Sequence, residues 1–396
     1  MKKFMLGILA FVAMTGTSVA ENLENKVDTV QFTVVKANPI TSIKNQNRSG
    51  TCWNYSSLSF FEAELLRLNK GEFDLCESFV CQKTYMDRAE KAIRTHGDVS
   101  FAQGGSFYDV LYCLRNYGIM PEGFMPYPIT NYGDSLFNFN EMWPMADGIV
   151  KGIAKSESKK INVHWRETLQ SVLDGYFGKV PASFEYKGKV YTPQTFCKSL
   201  GLNLDDYVSL TSFTHQAPYT QFALEIQDNW RWGLSYNLPL EEFMEVMETA
   251  VRNGYTFAWG ADVSESYFSR SNSVVQLPAK FRESGTAGSD AARWTGKNTT
   301  LNNQPVADNG EAAVTPEMRQ LAYDNWETTD DHGMVIYGLA KNPEGKEYFM
   351  VKNSWGEYGP YKGIFYVSKP YVAYKTMNIV INKNAIPKNI RKKLGL

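Results

Sequence analysis

A cysteine acts as a nucleophile when its thiolate is favoured and a neighbouring base can take its proton. Cys52 sits in the run Gln46-Asn47-Arg48-Ser49-Gly50-Thr51-Cys52-Trp53-Asn54-Tyr55. Residues 53–70 contain no Gly or Pro. Within them Trp53, Leu58, Phe61, Leu65 and Leu68 recur at helical spacing, and Gly71 reads as the C-cap. The pattern predicts an amphipathic helix with Cys52 at or just before its first turn. Unpaired N–H groups and the helix dipole favour a thiolate there. Taken alone, the segment fits equally well a thiol packed beside Trp53 in a core.

A second constellation lies near the other end. Asp330-Asp331-His332-Gly333-Met334-Val335-Ile336-Tyr337-Gly338 reads as a polar turn running into a strand. Tyr348-Phe349-Met350-Val351-Lys352-Asn353-Ser354-Trp355-Gly356 reads as a second strand ending in a turn, with Asn342-Pro343-Glu344-Gly345-Lys346 between them. A hairpin of these strands sets His332 beside Asn353. An Asn side chain that holds an imidazole by one nitrogen fixes the tautomer needed for proton transfer at the other. His96, His164 and His215 are scattered without the spacing of a zinc site, so no metal or other cofactor is expected. No G-x-S-x-G elbow or phosphate loop is present, which argues against a serine hydrolase or a nucleotide enzyme.

The elements that must position these groups come from a chain of 396 residues, 43% hydrophobic and 21% charged. That balance is ordinary for a globular protein with a substantial core. A net charge of −1 gives no footprint for nucleic acid. Lys2-Lys3, an apolar stretch over 4–14 and Ser18-Val19-Ala20 read as a signal peptide over residues 1–20, so the protein is expected to be exported, periplasmic or secreted. The stretch is well short of the ~20 residues of a spanning helix, so no stable membrane insertion is expected. Outside the cytosol Cys76, Cys81, Cys113 and Cys197 are permitted to pair, in three ways, or to remain buried thiols.

Together these motifs resemble the papain superfamily of cysteine peptidases. Ser49-Gly50-Thr51-Cys52-Trp53 is similar to its nucleophile motif, with Ser49 where most secreted members carry a disulfide cysteine. Asp331-His332 and Asn353-Ser354-Trp355-Gly356 are similar to its histidine and asparagine motifs. The resemblance implies a Cys52, His332 and Asn353 triad, with Gln46 as oxyanion-hole donor. It also implies a substrate cleft touched by Gly104, Gly105 and Trp355, Trp355 shielding the His332–Asn353 bond. The implied fold is α+β and papain-like, a helical lobe beside an antiparallel, barrel-like β lobe, with peptides as the partners.

Spacing narrows the branch. His and Asn follow the nucleophile by ~130–150 residues in the typical enzymes, and here by about twice that. Large insertions, together with Cys52 lying close to the expected cleavage site, resemble bleomycin hydrolase and the bacterial aminopeptidases. Gly104-Gly105-Ser106-Phe107-Tyr108-Asp109, Tyr191-Thr192-Pro193, Trp259-Gly260-Ala261-Asp262-Val263 and Val380-Ile381-Asn382-Lys383 are similar to landmarks of that branch. The expected layout is one peptidase domain over 21–396. Its helical lobe covers about 45–135, its β lobe about 251–385, and its insertions about 136–250 and 268–312. The aromatic-rich stretch 131–165 is expected to be packed and 269–309 to be a mobile surface excursion. Asp262 reads as either a cleft residue or a structural one.

The branch implies aminopeptidase action and a ring-like homohexamer. Its C-terminal arm enters the cleft and offers a carboxylate to the substrate's amino group. Residues 386–396 here are short and basic by comparison. An open-cleft endopeptidase is therefore kept as the alternative, beside a papain-fold amidase or acyltransferase and an inactive binding homologue.

Overall fold

A computed structural model describes residues 29–265, 267–278 and 310–396. The expected signal peptide and most of the expected excursion lie outside the described residues.

One side of the molecule is helical. Helices α1 (Cys52–Arg67), α2 (Glu77–Arg94), α3 (Phe107–Asn116), α4 (Met142–Ala154), α5 (Trp165–Phe177) and α6 (Pro193–Ser199) surround one apolar cluster. Leu58, Phe61, Phe79, Tyr85, Phe137, Phe139 and Phe177 are all buried in it. The aromatic-rich stretch is thus part of this core, and α4 and α5 extend the helical lobe well past residue 135. Strands β2 (Phe184–Tyr186) and β3 (Lys189–Tyr191) form a separate hairpin beside it.

Helix α1 is buried from Cys52 to Leu65, so its stability comes from packing on all sides rather than from one apolar stripe. It stops at Leu68, ahead of the predicted end. Asn69 takes a left-handed backbone (φ 55°), its N–H donates to Leu66 O, and Lys70 N–H donates to Leu65 O. Asn at this position can close a Schellman motif as Gly does, which is why Gly71 was not needed as the stop.

The other side is a ten-stranded sheet. Its members are β1 (Thr33–Ala37), β4 (Tyr207–Thr211), β5 (Gln221–Ala223), β6 (Leu234–Asn237), β7 (Phe257–Ala261), β8 (Val274–Val275), β9 (His332–Lys341), β10 (Glu347–Lys352), β11 (Ile364–Ser368) and β12 (Thr376–Asn382). Their order is β5-β6-β4-β12-β7-β9-β10-β11-β8, with β1 also paired to β9. Most pairs are antiparallel, whereas β4 with β6 and β8 with β11 run parallel. Strands from 33–37 and 207–237 therefore enter the sheet, although the sequence boundaries placed the β lobe after about 251. Helices α7 (Leu240–Arg252), α8 (Pro316–Asp324), α9 (Lys369–Lys375) and α10 (Lys388–Lys393) contribute Phe243, Ala322, Tyr371 and Ile390 to the core on this side, beside Trp259, Ile336, Phe349 and Ile379.

The two sides meet where β9 crosses the start of α1. A Cβ at Gly333 would stand 2.6 Å from Ser56 Oγ and 3.3 Å from Cys52 O, so only glycine permits this approach. Two fully buried acids fix the helix. Glu62 accepts from Thr41 Oγ1 (2.6 Å) and Leu75 N–H (2.9 Å). Glu64 takes a two-point contact from Arg67 and further bonds from Tyr207 and Asn382 of the sheet. Buried carboxylates are tolerable only when paired in this way, and removing one partner costs ~3–5 kcal/mol.

Candidate active site

The sequence reading of Cys52 as a helix-start residue holds: it is the first residue of α1, only 8% exposed. Thr51 O accepts from the N–H groups of Asn54 and Tyr55, which fixes the first turn. The preceding loop is anchored by Gln103, whose Oε1 accepts from Gly50 N–H (2.8 Å) and whose carbonyl accepts from Trp53 Nε1 (3.0 Å).

His332 opens β9 and pairs across to Ala261 of β7. Asp331 beside it accepts from Val263 N–H at 2.9 Å. Asp262 accepts from Ser264 and from Thr329 N–H, and lies 3.6 Å from Lys375. Asp262 is thus a structural residue that pins the segment leading into His332. Strands β9 and β10 form the predicted hairpin, with Gly345 (φ 81°) in its turn. The hairpin brings His332 Nε2 to 2.8 Å from Asn353 Oδ1. Trp355 stacks on the imidazole, ring centroids 4.7 Å apart at 28°. Its indole excludes water from the His332–Asn353 bond, and a drier surrounding strengthens it.

Gln46 is fully buried. Its Nε2 donates to Ser49 O (2.9 Å), its Oε1 accepts from Ser354 Oγ (2.7 Å), and its backbone N–H donates to Ser354 O (2.8 Å). These bonds fix the orientation of the Gln46 carboxamide beside the start of α1.

Cys52 and His332 line one open cavity. Gly105 lines it too, held close because a Cβ there would meet the Trp53 indole at 2.9 Å. Gly104 does not line it. Its carbonyl accepts from Arg88, and its Cα faces Asp228 so closely that a Cβ would lie 2.1 Å from Asp228 Oδ2. Trp355 also lies outside the cavity lining, behind His332. Tyr108 and Asp330, which lie in the motif runs but carry no assigned role there, also line it, as do Leu224, Ile226 and Asp228, which no motif marks. The only available signal was the doubled Asp330-Asp331. Asp228 lies in a stretch without helix or strand periodicity.

Residues 388–396 do not line this cavity. Ile390 and Leu394 are buried in the core beneath the sheet. Cys76, Cys81 and Cys113 are buried thiols, and burial pushes all three up, away from reactive thiolates. Cys197 is half-buried and is pushed up to about 11 by burial.

The fold matches that of a solved structure, PepW from Lactobacillus rhamnosis HN001, with a TM-score of 0.64, 21% identity, and coverage of 92% of this chain and 84% of that one. Aminopeptidase C of Lactobacillus delbrueckii subsp. lactis is 23% identical over 98% of this chain and 89% of its own length. Bleomycin hydrolase of Gallus gallus is 21% identical over 88% of this chain and 81% of its own. A profile of the Peptidase C1-like family matches residues 312–395, the stretch that carries His332 and Asn353. Over most of its length the chain is thus similar to bleomycin hydrolase and to the bacterial aminopeptidases C, and it shares the fold of PepW. In this bleomycin hydrolase-like frame, α1 supplies Cys52 from one lobe and the β9–β10 hairpin supplies His332 and Asn353 from the other. The cavity lies where the lobes meet.

Proposed function

We propose that this protein is a cysteine aminopeptidase that removes residues from the N-terminus of peptides through Cys52. The observation that carries the reading is that His332, held by Asn353, lines the same cavity as a cysteine on a helix start. Aminopeptidases C, G and W among the relatives support the exopeptidase form.

In this mechanism Asn353 holds His332 at Nε2, so Nδ1 is the nitrogen that takes the Cys52 proton. Cys52 Sγ attacks the scissile carbonyl carbon. The Cys52 backbone N–H and the Gln46 side-chain amide stabilise the oxygen that becomes negative. His332 returns the proton to the leaving amine as the C–N bond breaks, leaving a thioester on Cys52. A water deprotonated by His332 then releases the carboxylate product and restores the thiol.

The same reading takes residues 1–20 as an export signal, supported by the Lys2-Lys3 start and the Ser18-Val19-Ala20 end. Mass spectrometry of the N-terminus of protein recovered from cells tests that point. The homohexamer rests on the family resemblance alone, and sedimentation velocity tests it. No helix among the described residues is long and apolar enough to cross a membrane.

The activity is tested with one peptide carrying a free or an acetylated N-terminus. Stepwise loss of residues from the free form alone, absent in Cys52→Ala, is the expected result. Internal cleavage of both forms contradicts it and favours an open-cleft endopeptidase.

A further inference from the structure

The segment between β5 and β6 forms one wall of the cavity and is built as a rigid piece. Asn229, buried, donates from Nδ2 to Leu224 O and Gly233 O (both 3.0 Å) and accepts from Gly233 N–H (2.9 Å). Trp230 Nε1 donates to the buried Asp109 (3.1 Å), and Trp230 O accepts from Lys91 Nζ (2.7 Å). Arg231 bridges Asp109 (2.6 Å) and Asp87 (2.7 Å) on the helical lobe. Tyr108 packs under Gly233 so closely that a Cβ there would lie 2.4 Å away. The segment therefore has one position on α2 and α3, and that position sets Asp228 at the cavity wall.

Across the cavity, Asp330 lies two residues before His332. Its half-buried carboxylate takes no hydrogen bond and no ion pair among the described residues. Asp228 is partly compensated, by Arg88 with Nη1 3.8 Å away and by the Gly105 backbone. The lining includes the carboxylates of Asp228, Asp330 and Asp331 and no Lys or Arg. Burial, with Asp228 and Asp262 nearby, pushes the Asp330 carboxyl well above the ordinary range. Burial and Asp109 push Asp228 up to about 6 against the pull of Arg88. The Asp330 carboxyl, without a partner among the described residues and beside a second acid, is therefore suited to pair with an incoming cation.

We propose that Asp330, with Asp228 opposite, binds the α-ammonium group of the substrate, so that the β5–β6 segment and not residues 388–396 confines cleavage to the first peptide bond. This rests on the aminopeptidase reading above. A Lys or Arg side chain carries the same kind of cation, and the choice of the α-ammonium follows from that reading.

The test compares wild type, Asp330→Asn and Asp330→Glu on three substrates: a free-amine peptide, its acetylated form, and an acetylated peptide with Arg second from the scissile bond. For Asp330→Asn on the free-amine peptide KM should rise by roughly 10–100-fold, in line with a lost charge-assisted bond. kcat should stay within about threefold, because the chemical step is untouched. Asp330→Glu should retain the preference for a free amine. An unchanged rate of Cys52 alkylation shows that the variant site is intact. An unchanged KM in Asp330→Asn overturns the proposal while leaving the aminopeptidase reading in place. Equal cleavage of free and acetylated peptides by wild type overturns that reading itself. Cleavage of the acetyl-Arg peptide that is lost in Asp330→Asn overturns the α-ammonium assignment in favour of a side-chain pocket.

Discussion

Ser354 Oγ donates to Gln46 Oε1 at 2.7 Å, joining residues 308 apart, while Ser354 N–H donates to Asn353 Oδ1 at 2.7 Å. One residue therefore touches both the Gln46 amide on the helical side and the Asn353 amide that contacts His332 on the β side. In the proposed mechanism these two groups must be correct together, and Ser354 is the reason they are.

That clamp predicts non-additivity. Gln46→Ala should lower kcat by about 10²–10³-fold, as loss of one oxyanion donor does. Ser354→Ala should lower kcat by about tenfold and destabilise by ~1–3 kcal/mol, because it leaves the buried Gln46 Oε1 without its partner. The double variant should be no slower than Gln46→Ala alone, read from kcat on a free-amine peptide. Strictly additive losses would show that Ser354 does not act through Gln46.

The crossing of β9 over α1 gives a steric prediction. Gly333→Ala forces a Cβ against Ser56 Oγ and should cost ~1–3 kcal/mol by overpacking. It should also lower kcat at least tenfold, on the general acid–base contribution of ~10²–10⁴ that depends on where His332 sits relative to Cys52. Adding Ser56→Ala removes the atom 2.6 Å away and should restore part of both losses. Urea unfolding and kcat together check it, and no recovery in the double variant would place the clash elsewhere.

Lys352, the residue before Asn353, is buried and donates to Thr41 Oγ1 at 2.9 Å. Burial pushes its amine down to about 8, against the pull of Glu62. The unfolded chain titrates this group near ~10.4. Between those values the folded state binds fewer protons than the unfolded state, so stability rises with pH there. Below about 8 the unfavourable burial of the charge is fully present. Wild type should therefore gain stability relative to Lys352→Met as pH rises from 8 to 10. Urea midpoints at four pH values measure it, and a constant difference would contradict the account.

Much of this arrangement was legible because it is local. The run after Cys52 lacks helix breakers, and the two strands around residues 342–346 share a short turn, so periodicity alone located the helix start and the hairpin. What sequence could not show is tertiary. β4 and β6 pair in parallel, and Phe137 and Phe139 fill the helical core. Both depend on tertiary contacts, so packing of the 131–165 stretch is legible in its aromatic content whereas its partners are not. The resemblance implies Gly104 as a cleft residue, paired with Gly105, but only Gly105 lines the cavity. The partner that excludes a side chain at Gly104 is Asp228, more than a hundred residues away. Asp228 has no local signature because its position is set by Trp230 and Arg231 docking on Asp109 and Asp87.

The central claim is that Cys52 is the atom that attacks. Its most direct measurement is residual peptidase activity against the extent of iodoacetamide modification, with each site located by mass spectrometry. The account predicts that activity falls in proportion to modification of Cys52 and reaches zero at one equivalent. Cys197, the half-buried cysteine, should remain unmodified or irrelevant. Activity that survives complete modification of Cys52, or that follows Cys197 instead, would contradict it.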